Sequence, residues 1–186
     1  MGMWPVWSAV FVLGASVAQA AAPATPWGRI ADLATGRDVA APPGWLNFCL
    51  AGRWRCAPAS EASEIDAAPA LLALVQRVQA EVNQRVTAQP EPAGRDLWQI
   101  ADSSGDCEDF ALAKQAALRA AGLPAGAVRL ATARLPNGEF HAVLTVATTA
   151  GTLVLDNLQA SAVPLRALDY VWLRLQGARG SLRWEE

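Results

Sequence analysis

The sequence predicts an α+β fold in which helices pack on an antiparallel sheet. Three observations predict it. An apolar run with helical period lies near residues 71–82. A second segment, 106–122, carries helix start and stop signals. Three strand-like stretches joined by tight-turn signals follow it. Helices first and neighbouring strands afterwards argue for α+β and against a doubly wound parallel sheet.

Taken in order, the chain begins with residues 1–20, which carry no charged side chain. Residues 4–17 are mostly apolar, and Ala18-Gln19-Ala20 forms the small-x-small triplet of a signal-peptidase site. This apolar stretch is short for a membrane span. Residues 1–20 are therefore expected to be a signal peptide, with an uncleaved N-terminal anchor as the alternative. Residues 21–44 are rich in Ala, Pro and Gly and read as an irregular lead-in. The remaining residues, 45–186, form one domain, a length that supports a hydrophobic core. Trp45, Phe48 and Trp54 flank Cys49 and Cys56, and this part is expected to be a segment packed on the core. In an oxidising compartment the two cysteines can close a small loop; two buried free thiols are the alternative.

The first helix is expected over about 63–84. Leu71, Leu74, Val75, Val78 and Val82 share one face, and Ser63 or Asp66 is placed to start it. Pro90 and Pro92 open a loop that carries Trp98 and Ile100. The second helix is expected from Asp106 to Gly122, with Phe110, Ala113, Ala117 and Leu118 inward; Gly122 and Pro124 end it. Strands are expected over 127–133, 139–147 and 152–156. Asn137-Gly138 turns the chain after the first, and Thr149-Ala150-Gly151 after the second. Residues 168–175 and 182–184 are candidates for further strands.

The formal net charge is −2, and no Lys/Arg run is present, so nucleic acid is not an expected partner. With a single histidine and three cysteines, a structural zinc site is not expected either. If Cys49 and Cys56 pair, Cys107 is the odd thiol of an exported chain, and a reactive nucleophile explains it.

Cys107 falls in the first turn of the second helix. Free N–H groups and the positive helix end stabilise a thiolate there, and one N–H can help bind an oxyanion. Gly105 would let a substrate approach closely. The only histidine, His141, lies near the start of a strand, and Asp156 ends the next one. A turn centred on Thr149-Ala150 sets Asp156 opposite Val143, so His141 and Asp156 become diagonal neighbours on one hairpin face. A carboxylate there holds the imidazole tautomer and stabilises the imidazolium. The helix is expected to pack on that face and bring Cys107 to His141. The bland alternatives are a small core cysteine, a satisfied structural histidine and a strand-ending aspartate.

Asp106, Glu108 and Asp109 flank the thiol, where negative charge raises a thiol's pKa. One reading is helix capping, with Asp106 as N-cap and Asp109 at N3. The other is a bound cation. Hard oxygen ligands at one helix end suit Ca²⁺, with Asp102 a further candidate.

Gly105-Asp106-Cys107-Glu108-Asp109-Phe110-Ala111, with Lys114 after it, resembles the signature of the bacterial transglutaminase-like cysteine peptidases. The segment from Trp45 to Cys56, Val82-Asn83, Trp98, His141-Ala142-Val143-Leu144 and Leu155-Asp156-Asn157 resemble further blocks of that family. The likeness covers roughly residues 45–184. It implies a papain-like, transglutaminase-type core with a Cys107–His141–Asp156 triad. It implies calcium dependence, with Asp106, Glu108 and Asp109 at the matching ligand positions. It also implies periplasmic cleavage of a surface protein, in known members a large biofilm adhesin cut near its N-terminus at an Ala-Ala site. An inner-membrane receptor for cyclic di-GMP is an implied partner. The proline-rich stretch 89–96 departs from the family pattern before Trp98. Two rival readings keep the fold: an acyl transferase using the same triad, and a non-catalytic binding module.

Overall fold

The computed structural model of the chain describes residues 27–30, 36–52, 56, 62–92, 94–178 and 182–186. The expected signal peptide and Trp54 lie outside these residues. Among the described residues, no helix is long and apolar enough to cross a membrane.

The element order is β1 (Asp38–Val39), α1 (Pro43–Ala51), α2 (Pro69–Arg85), β2 (Thr87–Ala88), β3 (Ser104–Gly105) and α3 (Cys107–Ala120), followed by strands. These are β4 (Val128–Arg134), β5 (Phe140–Thr148), β6 (Gly151–Leu155), β7 (Val163–Pro164), β8 (Val171–Gln176) and β9 (Trp184–Glu185). These six and β1 form one sheet in the order β1-β9-β8-β4-β5-β6-β7. Every pairing in it is antiparallel. The α+β expectation holds, with strand limits shifted by one to three residues.

Trp45, Phe48, Cys49 and Cys56 pack on the core as expected. Two boundaries change. Helix α1, which carries the first three of these, starts at Pro43, inside the expected irregular lead-in. And α2 starts at Pro69, not near Ser63 or Asp66. In both helices a proline occupies the first turn, where its missing N–H costs nothing and its fixed φ suits the helix. Residues 63–68 instead pass the end of β5. Ile65 bridges Thr148, and the Ala67 N–H donates to Thr149 Oγ1.

The helix α3 ends as its glycine foretold. Gly122 adopts φ +90°, its N–H reaches the Arg119 carbonyl, and the Leu123 N–H reaches that of Leu118. This closes the helix in a Schellman motif.

Helices and sheet share the main core. Val75, Val78 and Val82 of α2 and Phe110, Ala113 and Leu118 of α3 pack with Leu130, Leu144, Val146, Leu153 and Leu155 of the sheet. The alternate sheet residues Ala131, Val143 and Val154 join Ile30, Leu165 and Leu175 in a second cluster, as period-two alternation requires. Trp45, Phe48, Trp98 and Trp184 form an aromatic knot, with ring centroids 5.5–6.4 Å apart. Gly44 is essential to it: a Cβ there would lie 2.2 Å from Trp98 Cδ1. Cys49 and Cys56 are joined by a disulfide, with Cα atoms 5.5 Å apart. It ties α1 to the chain beyond it and leaves Cys107 as the free cysteine.

Candidate active site

Cys107 is the first residue of α3 and Asp106 is its N-cap. The sulfur is half-buried, lies under the influence of the Ala142 backbone N–H, and donates to Glu108 Oε2 at 3.1 Å. Burial pushes the thiol pKa far up, and the Glu108 carboxylate adds to this through its charge and its hydrogen bond. The Ala142 N–H acts in the opposite direction. It belongs to the residue after His141, so the sulfur sits at the start of β5.

His141 and Asp156 meet as the hairpin register predicts. Leu144 pairs with Leu155, which brings Val143 level with Asp156 one step further on. His141 Nε2 lies 2.8 Å from Asp156 Oδ1, with both side chains buried. The carboxylate also accepts from the Leu158 N–H at 2.9 Å and from the Tyr170 hydroxyl at 2.7 Å. Burial alone would raise its pKa, but hydrogen bonds and charge from His141, with help from Leu158 and Tyr170, hold it below the ordinary carboxylate value. An ionised carboxylate only accepts, so Nε2 carries a proton in this contact. Burial and Asp156 push the Tyr170 phenol up to about 12, so it stays a donor.

One expectation about this meeting is corrected. The helix α3 covers the sheet face of Leu144 and Leu155, not that of Val143 and Val154. Cys107, at the start of α3, lines the same cleft as His141, near the start of β5, and His141 reaches Asp156, just past the end of β6.

Sequence reasoning missed several supports. Gln79 of α2 is fully buried and donates to the Asp156 and Gln159 carbonyls at 2.6 and 2.7 Å. Asn83, one turn on, reaches the same two carbonyls at 3.3 and 2.9 Å. Together they clamp the turn that carries Asp156. Their i, i+4 spacing within an apolar face was the available signal. Tyr170 is the only tyrosine of the chain, but nothing in its local sequence points to Asp156.

The acidic residues divide into two groups. Glu91, Asp106 and Glu108 each bring a carboxylate oxygen within 4.8 Å of the others. The parallel pairing of β2 with β3 and the Gln89 N–H to Gly105 carbonyl bond carry Glu91 there. Asp109 is not in this cluster. Its Oδ1 accepts from the Gln99 N–H at 2.8 Å, and its side chain fills the space beside Gly105, where a Cβ would lie 2.6 Å from Asp109 Oδ2. Gly105 thus makes room for Asp109 and not for a substrate. The capping-box reading also fails, since Asp106 makes no side-chain cap bond. Asp102 is likewise outside the cluster.

The cluster fits a hard cation. Asp106 Oδ1 is buried without a hydrogen-bond partner. Burial pushes Glu108 up to about 7 and raises Asp106. Each of the two carboxylates suffers from the other's charge, or from that of Glu91. Buried, mutually repelling oxygens at one point are what a divalent ion neutralises.

Cys107, Glu108, His141 and Ala142 line one cleft of about 590 Å³, whose walls include Trp98, Phe140 and Arg174. Its size suits a peptide side chain and flanking backbone.

The fold agrees with the comparisons. The profile described as bacterial transglutaminase-like cysteine proteinase matches residues 35–186, and the protein belongs to this family of cysteine peptidases. Among solved structures it is similar to calcium-bound Legionella pneumophila LapG, with TM-score 0.52 and 28% identity over 59% of this chain. EGTA-treated LapG from the same organism gives TM-score 0.55 and 28% identity over 65% of this chain. A third LapG structure gives 0.54 and 28% over 64%. The chain spans 66%, 69% and 71% of those three chains. No curated protein matches significantly.

Proposed function

We propose that this protein is an exported, calcium-assisted cysteine endopeptidase. Cys107 is the nucleophile, His141 the general base and Asp156 the group that orients the imidazole. The observation that carries the reading is the buried 2.8 Å contact of His141 Nε2 with Asp156 Oδ1, in a cleft that also holds Cys107. That contact leaves Nδ1 to take the thiol proton. The thiolate adds to a peptide carbonyl, the amine leaves with a proton from His141, and water then hydrolyses the acyl-enzyme. A backbone N–H at the start of α3 would help bind the oxyanion.

Glu91, Asp106 and Glu108 would hold the calcium ion, which supplies positive charge that offsets the carboxylates raising the thiol pKa. The similar LapG structures, one calcium-bound and one EGTA-treated, support this choice of ion. Location in the periplasm, an adhesin-type surface protein as substrate and an inner-membrane cyclic di-GMP receptor as partner follow from the family resemblance and the N-terminal segment.

Peptides containing an Ala-Ala step, incubated with the mature protein, test the reading. Cleavage products are expected with calcium, loss of cleavage with chelator, and none with Cys107→Ala. With an added primary amine, free-acid products support hydrolysis, whereas amide products would establish the acyl transferase instead.

A further inference from the structure

A second cavity, of about 450 Å³, lies away from the cleft. Arg129 of β4, Ala147 of β5 and Thr152 of β6 line it. Arg129 sits between Val128 and Leu130, whose side chains pack with α2 and α3, so its own points to the opposite face of the sheet. Along β5, Ala147 is five residues beyond Ala142, which is about 17 Å of extended strand. The cavity is thus separate from Cys107 in both face and position.

Arg129 is the unusual group in it. The residue is 6% exposed, and its Nε is buried without a hydrogen-bond partner. Among the described residues no carboxylate makes an ion pair with it. Glu185 acts on it only as a more distant charge, against the cost of burial. A guanidinium stays charged and offers five donors in a planar fork. Buried and unpaired it is costly, whereas a carboxylate satisfies the fork with two parallel bonds. The lining adds donors. Thr152 Oγ1 accepts from the Ile30 N–H at 3.1 Å, which leaves its hydroxyl proton for a ligand. Arg29 also has a buried Nε without a partner, and it faces Glu64 at 3.7 Å.

The same lining sets the charge of the ligand. Glu64 and Glu185 border the cavity and repel a doubly charged oxyanion more than a singly charged one. Ile30 and Ala147 add apolar surface, and the volume has room for an organic group beyond the charge. We propose that this cavity is a second binding site, which takes a singly charged organic carboxylate with its oxygens on the Arg129 guanidinium and its apolar part against Ile30 and Ala147. The site does not rest on the peptidase reading.

The test is an amide NMR titration of the mature protein with isobutyrate, at mildly alkaline pH and constant ionic strength. Isobutyramide serves as the uncharged isostere and inorganic phosphate as the doubly charged rival. Isobutyrate should move the Ala147 and Thr152 amide signals to saturation and leave those of Cys107 and Ala142 in place. Isobutyramide should not bind, and phosphate should bind more weakly. Arg129→Gln should weaken isobutyrate by about tenfold or more. Arg129→Lys keeps the charge but not the fork, and should fall between the two. No saturating shift in wild type, equal shifts from acid and amide, tighter binding of phosphate, or shifts confined to Cys107 and Ala142 would each overturn the proposal. Full binding by folded Arg129→Gln would overturn it as well. If that variant does not fold, unchanged binding by Arg129→Lys does so, because the fork would then not matter; if neither folds, the wild-type titrations decide.

Discussion

Four acidic side chains crowd the start of α3, and three of them pull against the fold. Burial raises Glu108 from an ordinary 4.5 to about 7. Asp109 is raised from 3.8 to about 6, chiefly by burial and against the hydrogen bonds from Gln99. Asp106 is raised too. A carboxylate with a raised native pKa makes the folded chain hold more protons than the unfolded one, so stability falls as pH rises between the two values. Asp156, shifted down, acts oppositely and only at pH below about 3.8. Lys114, shifted down from 10.5 to about 7, acts above that window. In chelator, the unfolding temperature should therefore drop as pH rises from about 5 to about 7.5. Calcium should raise it more at pH 7.5 than at pH 5, because a cation binds the ionised forms. Thermal unfolding at the two pH values checks this, and an equal calcium shift at both would refute it. Cys107, His141 and Asp156 were legible at this scale: an odd thiol, a lone histidine and a hairpin register converge on them. Glu91 was not, because only the pairing of two-residue strands brings it to Asp106.

At the level of elements, the site is a junction of ends. The start of α3, the start of β5 and the end of β6 meet, and α2 locks the last of these through Gln79 and Asn83. The order of helices and strands followed from apolar periodicity and from Asn137-Gly138. The start of α2 did not, because polar Ser63 and Asp66 resemble caps while Pro69 sets the boundary. The clamp from α2 was hidden because a buried glutamine looks like a surface residue until its partners, some 80 residues on, are known. Gln79→Ala removes both donors and leaves the two carbonyls to Asn83 alone. It should lower stability by about 1–3 kcal/mol and slow Cys107 alkylation, as read by denaturant unfolding and thiol kinetics. An unchanged rate in the folded variant would show that the turn needs no clamp.

Across the whole molecule, the disulfide and the aromatic knot brace α1 and the Trp98 loop, which form one wall of the cleft opposite β5. The sheet braces the other. The central claim is that this frame presents Cys107 to His141 as an activated pair, with a cation offsetting the acidic cluster. In the structure the thiol is still bonded to Glu108 and its pKa is pushed up, so the ion and the histidine must both count. The most direct measurement is the rate of Cys107 alkylation at pH 7, with calcium and with chelator, in wild type and His141→Ala. The account predicts fast alkylation in wild type with calcium, a clear loss with chelator and a further loss without His141. Slow, equal rates in all four samples would contradict it and leave Cys107 an ordinary thiol in a binding module.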